Sequence, residues 1–384
     1  MKIAIVNSFF RPWRGGAETY VYNLAKQLQR RGHNITVLCG SPPLKPGKQF
    51  LDGVVINRLR VAGRIYGTPI IPALPFELAS VGADIIHAGF PSPLSAALAS
   101  AVSRHRKIPA VLTWHNDLPL LGHTFSNILT LANNRLVQPL YLPQFKSIIA
   151  TSDIYAKKSP ILRAQKDRVV VIPHGVDTEE FNPKVSGEEV RSRLNVREGG
   201  VVLFVGALTR WHKYKGLDIL MEAFLLLRNQ GRQDKLLVVG GGDIATEYYQ
   251  LAEQLGIRDG VIFAGEVPDG ELPKYYASSD LLVLPSKDDC EGFGLVILEA
   301  NATGKPAIGT TVGGVPSVIR DGYNGLLVPP NNPTILAQSI RRALEDEDLL
   351  RQMGKNGRAF AEHHDWSILA EQTEKLYERA LAAQ

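Results

Sequence analysis

Short apolar runs alternate along this chain with longer stretches in which apolar residues recur every three or four positions. Lys2–Val6 reads as a strand buried on both faces. Gly15 and Gly16 follow, and then residues 17–31, where Val21, Leu24, Ala25 and Leu28 fall at helical spacing. Gly32 stops that helix, and 35–38 is the next strand. Strands at 84–87, 110–113, 147–151 and 169–172, with a helix at 93–103, continue the pattern. A polar stretch at 185–200, bounded by Pro183 and Gly200, interrupts it. The alternation then restarts with strands at Val201–Val205, 236–239, 261–264, Leu281–Leu284 and 306–309. Helices at 217–228, 247–255, 272–277, 294–302 and 316–319 lie between or after them, and 333–383 is helical.

Two successive runs of strand and helix imply two doubly wound α/β domains, 1–183 and 184–365, with 366–384 returning to the first. In open α/β sheets ligands bind beyond the carboxyl ends of the strands, so two such domains are expected to face each other across a central cleft. A length of 384 residues agrees with two domains. With 45% hydrophobic and 21% charged residues the chain is neither disordered, collagen-like nor a coiled coil. No apolar run approaches the ~18–20 residues that span a bilayer. The first ten residues read as a strand rather than a signal peptide. Two distant cysteines, Cys39 and Cys290, point to a reducing, cytoplasmic setting without a disulfide framework.

Net charge changes the picture more. Residues 1–183 carry 21 Lys and Arg against 10 Asp and Glu, net +11, while 184–384 carry 22 against 28, net −6. The two halves are therefore expected to meet different partners, unless the excess is solvated surface alone.

Four constellations carry candidate chemistry. Between the first strand and helix, Phe10-Arg11-Pro12-Trp13-Arg14-Gly15-Gly16-Ala17-Glu18 bares backbone N–H groups at a helix start, suited to an anion or simply to a tight turn. It lacks the third glycine of a dinucleotide fingerprint. Gly240-Gly241-Gly242-Asp243 is a second glycine turn without that spacing. In 206–216, Arg210 and Lys215 offer a forked and a point cation to a diphosphate whose charge grows as it departs, or else a solvated basic loop. In Cys290-Glu291-Gly292-Phe293-Gly294-Leu295-Val296-Ile297-Leu298-Glu299, two glutamates stand eight residues apart, about 12 Å along a helix. That is too far to share one bond-breaking event but suits hydroxyls at opposite ends of an extended ligand. For Glu291 the plainer reading is a charge on a helix dipole, and for Glu299 a solvated face.

In this order, together with Val171-Ile172-Pro173-His174-Gly175-Val176-Asp177-Thr178 and Gly313-Gly314-Val315-Pro316, these motifs resemble the retaining, nucleotide-sugar-dependent glycosyltransferases of the GT-B fold. That group includes the phosphatidylinositol mannosyltransferases and sucrose synthases. The resemblance implies transfer of a hexose, mannose or glucose, from a GDP- or UDP-sugar donor to an acceptor hydroxyl with retention, and no cofactor or catalytic metal. It places Arg210 and Lys215 on the donor diphosphate, Glu291 near the transferred sugar and Glu299 on the ribose hydroxyls. Gly292, Phe293, Gly294 and Leu295 form the turn around sugar and phosphates, with Gly15 and Gly16 facing the diphosphate. His115 lies close to the reaction centre, and Gly265, Glu266 and Val267 at the nucleobase. Cys290, Asn301 and Thr303 depart from the residues usual in the group.

The basic first half is then the acceptor side, for a glycan or lipid-linked acceptor. The segment 118–146, with His123, Arg135 and Lys146 among Leu, Phe and Tyr, faces an anionic membrane surface on the inner side, or packs on its own domain. No basic run interleaved with aromatics points to nucleic acid. A sugar-nucleotide epimerase of the same architecture and a non-catalytic sugar-nucleotide binder are the alternatives.

Overall fold

The computed structural model describes residues 1–13, 15–65, 68–118, 124–196 and 199–383, so Arg14 and His123 lie outside the described residues. The chain forms two units, Met1–His174 with Trp366–Gln384, and Gly175–Asp365.

In the first unit the strands are β1 Lys2–Val6, β2 Asn34–Gly40, β3 Gly47–Leu51, β4 Val54–Leu59, β5 Gly63–Ile65, β6 Thr68–Ile70, β7 Ile85–Phe90, β8 Ala110–Trp114, β9 Ser147–Ala150 and β10 Val169–Val171. Among the described residues, eight make one sheet in the order β10-β9-β8-β7-β1-β2-β4-β3, parallel except for the β3–β4 hairpin. The direction of winding reverses between β1 and β7. Both faces of this sheet are covered, which is why its strands carry Val, Ile, Leu and Ala on both sides. One cover is the helix Gly16–Arg30, which buries Tyr20, Val21, Leu24, Ala25 and Leu28. Beside it lies the last helix, Trp366–Ala382, burying Trp366, Leu369, Ala370, Thr373, Leu376, Tyr377 and Ala380 at three- and four-residue spacing. Its Glu374 takes the Arg31 guanidinium and the His33 ring, the latter at 2.6 Å.

The second unit contains β11 Val201–Val205, β12 Lys235–Val239, β13 Val261–Gly265, β14 Leu281–Leu284, β15 Ala307–Thr310 and β16 Gly325–Val328. They form an all-parallel sheet in the order β13-β12-β11-β14-β15-β16. This is the doubly wound order 3-2-1-4-5-6 read within the unit, with its switch point between β11 and β14.

The units divide at His174, not at 183, and the polar stretch 185–200 is not the hinge. His174 is buried in the first unit against Tyr20 and His115. Val176 instead bridges to Asp365 and donates its N–H to the His364 carbonyl, fastening the start of the second unit to its end. The stretch itself folds: Glu188–Arg193 is helical, Val190 and Val196 are buried, and Arg191 donates to the Ser278 carbonyl. With the observed division, charge separates further. The first unit carries 23 Lys and Arg against 10 Asp and Glu, net +13, and the second 20 against 28, net −8.

Candidate active site

At the second unit's switch point the loops leaving β11 and β14 lock together. The turn Arg210–Lys215 ends at Gly216, whose φ is +74°. A side chain there would meet the Pro285 carbonyl at 2.0 Å, so only glycine admits this close approach. The Lys287 N–H donates to the Tyr214 carbonyl at 2.7 Å. The consequence is a charge pair astride the switch point: Lys215 Nζ lies 3.0 Å from Glu291 Oε2, both little exposed, with the Ser286 hydroxyl at 3.4 Å from the same oxygen. The loop after β15 supports Glu291 from behind. Gly314 N–H donates to the Glu291 carbonyl, and a Cβ on Gly313 or Gly314 would strike the carbonyls of Glu291 or Gly292 at 2.0 Å. Asp289 accepts from Gly313 N–H and Asp288 from Cys290 N–H, so this acidic pair is spent on the turn.

The helix begins at Leu295, with Gly294 as its cap. Glu291 therefore stands in the loop ahead of it rather than on its first turn, and the expected helical rise between the two glutamates does not apply. Glu299 sits on the helix and is buried. Tyr276 O–H donates to its Oε2 at 2.5 Å, and burial pushes the carboxyl up to about 7. The neighbouring Tyr276 phenol is itself held far above its ordinary range by burial, so it stays a donor. The departures from the group's usual residues become structural here. Asn301 is fully buried and accepts from Asn324 at 2.6 Å, and the Thr303 hydroxyl returns to the Glu299 carbonyl. The Cys290 thiol is pushed up to about 12, chiefly by burial, and is no ready nucleophile.

Other predicted residues fall near by. Arg210 shares the turn with Lys215 but points to solvent, its side chain 76% exposed and 3.9 Å from Asp243. Gly240–Gly242 interlocks with the β11 loop: Leu208 N–H donates to the Gly241 carbonyl at 2.8 Å. Gly265 ends β13 and Glu266 and Val267 follow it, with Glu266 exposed, Val267 buried and the Gly265 carbonyl accepting from Gly240 N–H. Phe293 is buried and Gly292 and Leu295 are partly exposed. Tyr276, Ser286 and Gly313–Gly314 escaped the sequence-based site, although the last pair was visible as a motif.

The first unit holds a different constellation. Gly15 caps the helix Gly16–Arg30; a Cβ on Gly16 would touch nothing within 4 Å, whereas one on Gly15 would lie 2.4 Å from Glu18 Oε2, so this carboxylate folds back over the helix start. Glu18, in the first turn, is pushed up to about 7 by burial. Beyond β8, His115 is buried and its Nδ1 lies 3.1 Å from His174 Nε2. The Tyr20 ring packs 5.0 Å from one imidazole and 5.1 Å from the other. Tyr20 O–H and His87 Nε2 meet at the Thr113 hydroxyl, and His87 Nδ1 lies 2.5 Å from Tyr377 O–H on the last helix. Burial lowers His87 to about 3 and His115 to about 4, and His174 well below the ordinary range, so all three are neutral at pH 7. His115 Nε2 is buried and makes no hydrogen bond with any described residue. Such a group wants a partner. Only His115 of this cluster was singled out from the sequence. His87, His174 and Tyr20 share no spacing with it and converge only through the sheet order. Among the described residues, no group of three or more His, Cys, Asp or Glu is placed to hold a metal ion.

Residues 14–180 match the family model described as Glycosyltransferase Family 4, and residues 187–360 that described as Glycosyl transferases group 1. The chain belongs to the group 1 glycosyltransferases. Its fold is GT-B, as in the solved structures it resembles. It superposes on the sucrose-phosphate synthase of Thermosynechococcus elongatus with a TM-score of 0.79 at 24% identity, over 100% of each chain. On Anabaena HepE, solved with UDP-glucose, the TM-score is 0.77 at 23% identity, over 98% of this chain and 100% of that one. Among proteins of known sequence, an uncharacterised glycosyltransferase of Methanocaldococcus jannaschii is 28% identical over 99% of both chains. The D-inositol 3-phosphate glycosyltransferase of Acidothermus cellulolyticus is 29% identical over 96% of this chain and 86% of its own.

Proposed function

We propose that this glycosyltransferase moves a hexose, mannose or glucose, from a nucleoside diphosphate sugar to an acceptor hydroxyl with retention of anomeric configuration. The observation that carries the reading is the Lys215–Glu291 pair astride the second unit's switch point, with Glu299 on the helix that follows. Lys215 is the cation for the departing diphosphate, whose negative charge grows as the sugar leaves. It is held ready by Glu291 rather than by solvent, so a phosphate entering at the switch point finds an oriented, partly desolvated ammonium. Arg210, exposed on the same turn, closes on the diphosphate from outside. Glu291 holds hydroxyls of the transferred sugar and Glu299 those of the ribose. The Gly292–Leu295 turn presents backbone N–H groups around them, Gly265, Glu266 and Val267 border the base, and Gly15 and Gly16 offer a helix start to the diphosphate.

No carboxylate is placed as a nucleophile in this scheme. The acceptor attacks the face the leaving group departs from, and the leaving phosphate oxygen takes its proton. His115 Nε2, the unpartnered buried nitrogen, is the hydrogen-bonding group for the sugar at the reacting centre. The transfer uses no metal and no cofactor. The donor is a UDP- or GDP-sugar, the former supported by the UDP-glucose complex of HepE. The acceptor is a glycan or lipid-linked sugar, met in the cytoplasm or at the inner face of an anionic membrane.

A thermal-shift screen of UDP- and GDP-sugars tests the donor, because a bound ligand raises the melting point by mass action. Proton NMR of the transferred product tests retention, and an inverted anomeric centre would contradict the mechanism. Incubation with labelled UDP-sugar and no acceptor separates an epimerase, which would change the sugar without transferring it.

A further inference from the structure

The turn Arg210–Lys215 brings to the switch point a side chain that the scheme above leaves unused. Of the two cations expected to act together there, Lys215 is little exposed while Arg210 is 76% exposed. His212, between them, is half-buried. Its N–H donates at 2.9 Å to the carbonyl of Thr209, the residue that caps the turn, and its Nδ1 lies 2.7 Å from the Thr209 hydroxyl. The ring centroid stands 6.0 Å from that of Tyr214, and Lys215 Nζ stands 5.7 Å from the same Tyr214 ring. Tyr214 is itself held by the Lys287 N–H on its carbonyl. His212 and Lys215 thus belong to one braced turn and share one aromatic neighbour.

The charges around the ring decide what it can do. Lys215 from its own turn, Glu291 from the loop after β14 and Asp243 from the loop after β12 all act on it. Burial first and Lys215 next push the imidazole down to about 4, against the two carboxylates, so it is neutral at pH 7. A neutral imidazole donates through one nitrogen and accepts through the other. With the Thr209 hydroxyl donating to Nδ1, the proton of the ring sits on Nε2, which makes no hydrogen bond with any described residue. A half-buried N–H donor in the neighbourhood of an ammonium suits an anion. Its neutrality suits the place as well: a second full cation would repel Lys215 and compete with it for Glu291.

We propose that His212 binds the donor's diphosphate through Nε2–H beside Lys215, and that the Thr209 hydroxyl, by donating to Nδ1, keeps the proton on Nε2. This rests on the donor site proposed above and adds a group to it. Titrating UDP and GDP calorimetrically into the full chain tests it. His212→Phe keeps a ring but no donor, and should weaken binding of the nucleotide that wild type takes about tenfold. His212→Gln, whose amide N–H reaches the place of Nε2, should recover most of that loss. Thr209→Val should cost about threefold, because the ring stays but its proton is no longer held on Nε2. That smaller loss should vanish when position 212 is already Phe, which a merely structural threonine would not show. Both residues are only partly buried, so melting temperatures should be unchanged. Affinity within twofold of wild type in His212→Phe, or His212→Gln no better than His212→Phe, would overturn the inference while a weakened Lys215→Ala in the same series keeps the donor site. Equal nucleotide binding by wild type and Lys215→Ala would overturn the donor site, and this inference with it.

Discussion

The two units use the same architecture and opposite electrostatics. At the second unit's switch point an ammonium and a carboxylate face each other across 3.0 Å, in a unit of net −8. In the first unit, three histidines, one of them within β7, are kept neutral by burial, in a unit of net +13. The net charge of a unit is thus not repeated at its site: a balanced ion pair sits in the acidic unit and neutral imidazoles in the basic one. Net charge tells which long-range partner a unit attracts. What it does chemically depends on the few groups the sheet order forces together. A permanent cation suits a leaving group that gains charge. A neutral, hydrogen-bonding imidazole suits hydroxyls that must be placed without being ionised.

The sharpest way to break this contrast is to remove the cation. Lys215→Ala should lower kcat for sugar transfer 10²–10³-fold, the usual cost of one preorganised group at a developing anion. Lys215→Arg should recover part of it. Nucleotide-release kinetics check this, and a loss under tenfold would detach Lys215 from the leaving group.

The first unit's imidazoles should matter less. His115→Ala is expected to lower kcat 10–10²-fold with little change in nucleotide affinity. His174→Ala acts through it, by freeing the His115 ring, and should cost about tenfold. His174→Asn, which keeps a polar partner for Nδ1, should restore most of that rate. If Asn proves no better than Ala, His174 is packing alone.

Glu299 sets affinity against stability. Its carboxyl ionises near pH 4.5 in the unfolded chain but near 7 in the fold, so burying it costs stability that grows as pH rises from 4.5 to 7 and persists above. Glu299→Gln keeps the Tyr276 contact and removes that cost. The variant should be more stable by about 3 kcal/mol at pH 8 and no more stable at pH 4.5, while binding UDP- or GDP-sugar about tenfold more weakly. Melting curves at the two pH values decide, and an equal gain at both would deny the buried charge.

The effect on the acid side has the opposite sign. Imidazoles near 3 and 4 in the fold but near 6.5 when unfolded favour the fold above pH 6.5 and lose that contribution as pH falls toward 4. His87→Asn should flatten the acid limb of the melting temperature by about one proton, roughly 1.4 kcal/mol per pH unit. Glu18, pushed up to about 7 in the same unit, works against this limb and makes it shallower than three histidines alone would give.

How much of this was legible in the sequence follows the same divide. The second unit's strands and the Glu291–Glu299 motif are local, so periodicity and spacing reach them. Lys215 was legible too, but not its pairing with Glu291, because Gly216 and Pro285 must touch before the two can meet. In the first unit β3 was invisible because Gly47–Leu51 is exposed throughout and shows no apolar alternation, and β4 hides behind a buried Arg58 and Asn57. Of the histidine cluster only His115 was singled out and His174 seen within a motif; their convergence could not be read, since residues 20, 87, 115, 174 and 377 become neighbours only through sheet order and a returning terminal helix. The division at 174 was missed for a related reason: polar, glycine-containing sequence looks like a hinge until its helix is seen folded onto the second unit.

Titrating UDP and GDP calorimetrically into the wild-type chain, Lys215→Ala, Glu299→Gln and His115→Ala tests the central claim most directly. The account predicts that nucleotide affinity falls at least tenfold in both second-unit variants and stays within twofold of wild type in His115→Ala. Unchanged affinity in Lys215→Ala and Glu299→Gln, with loss in His115→Ala, would contradict it and move the nucleotide to the first unit.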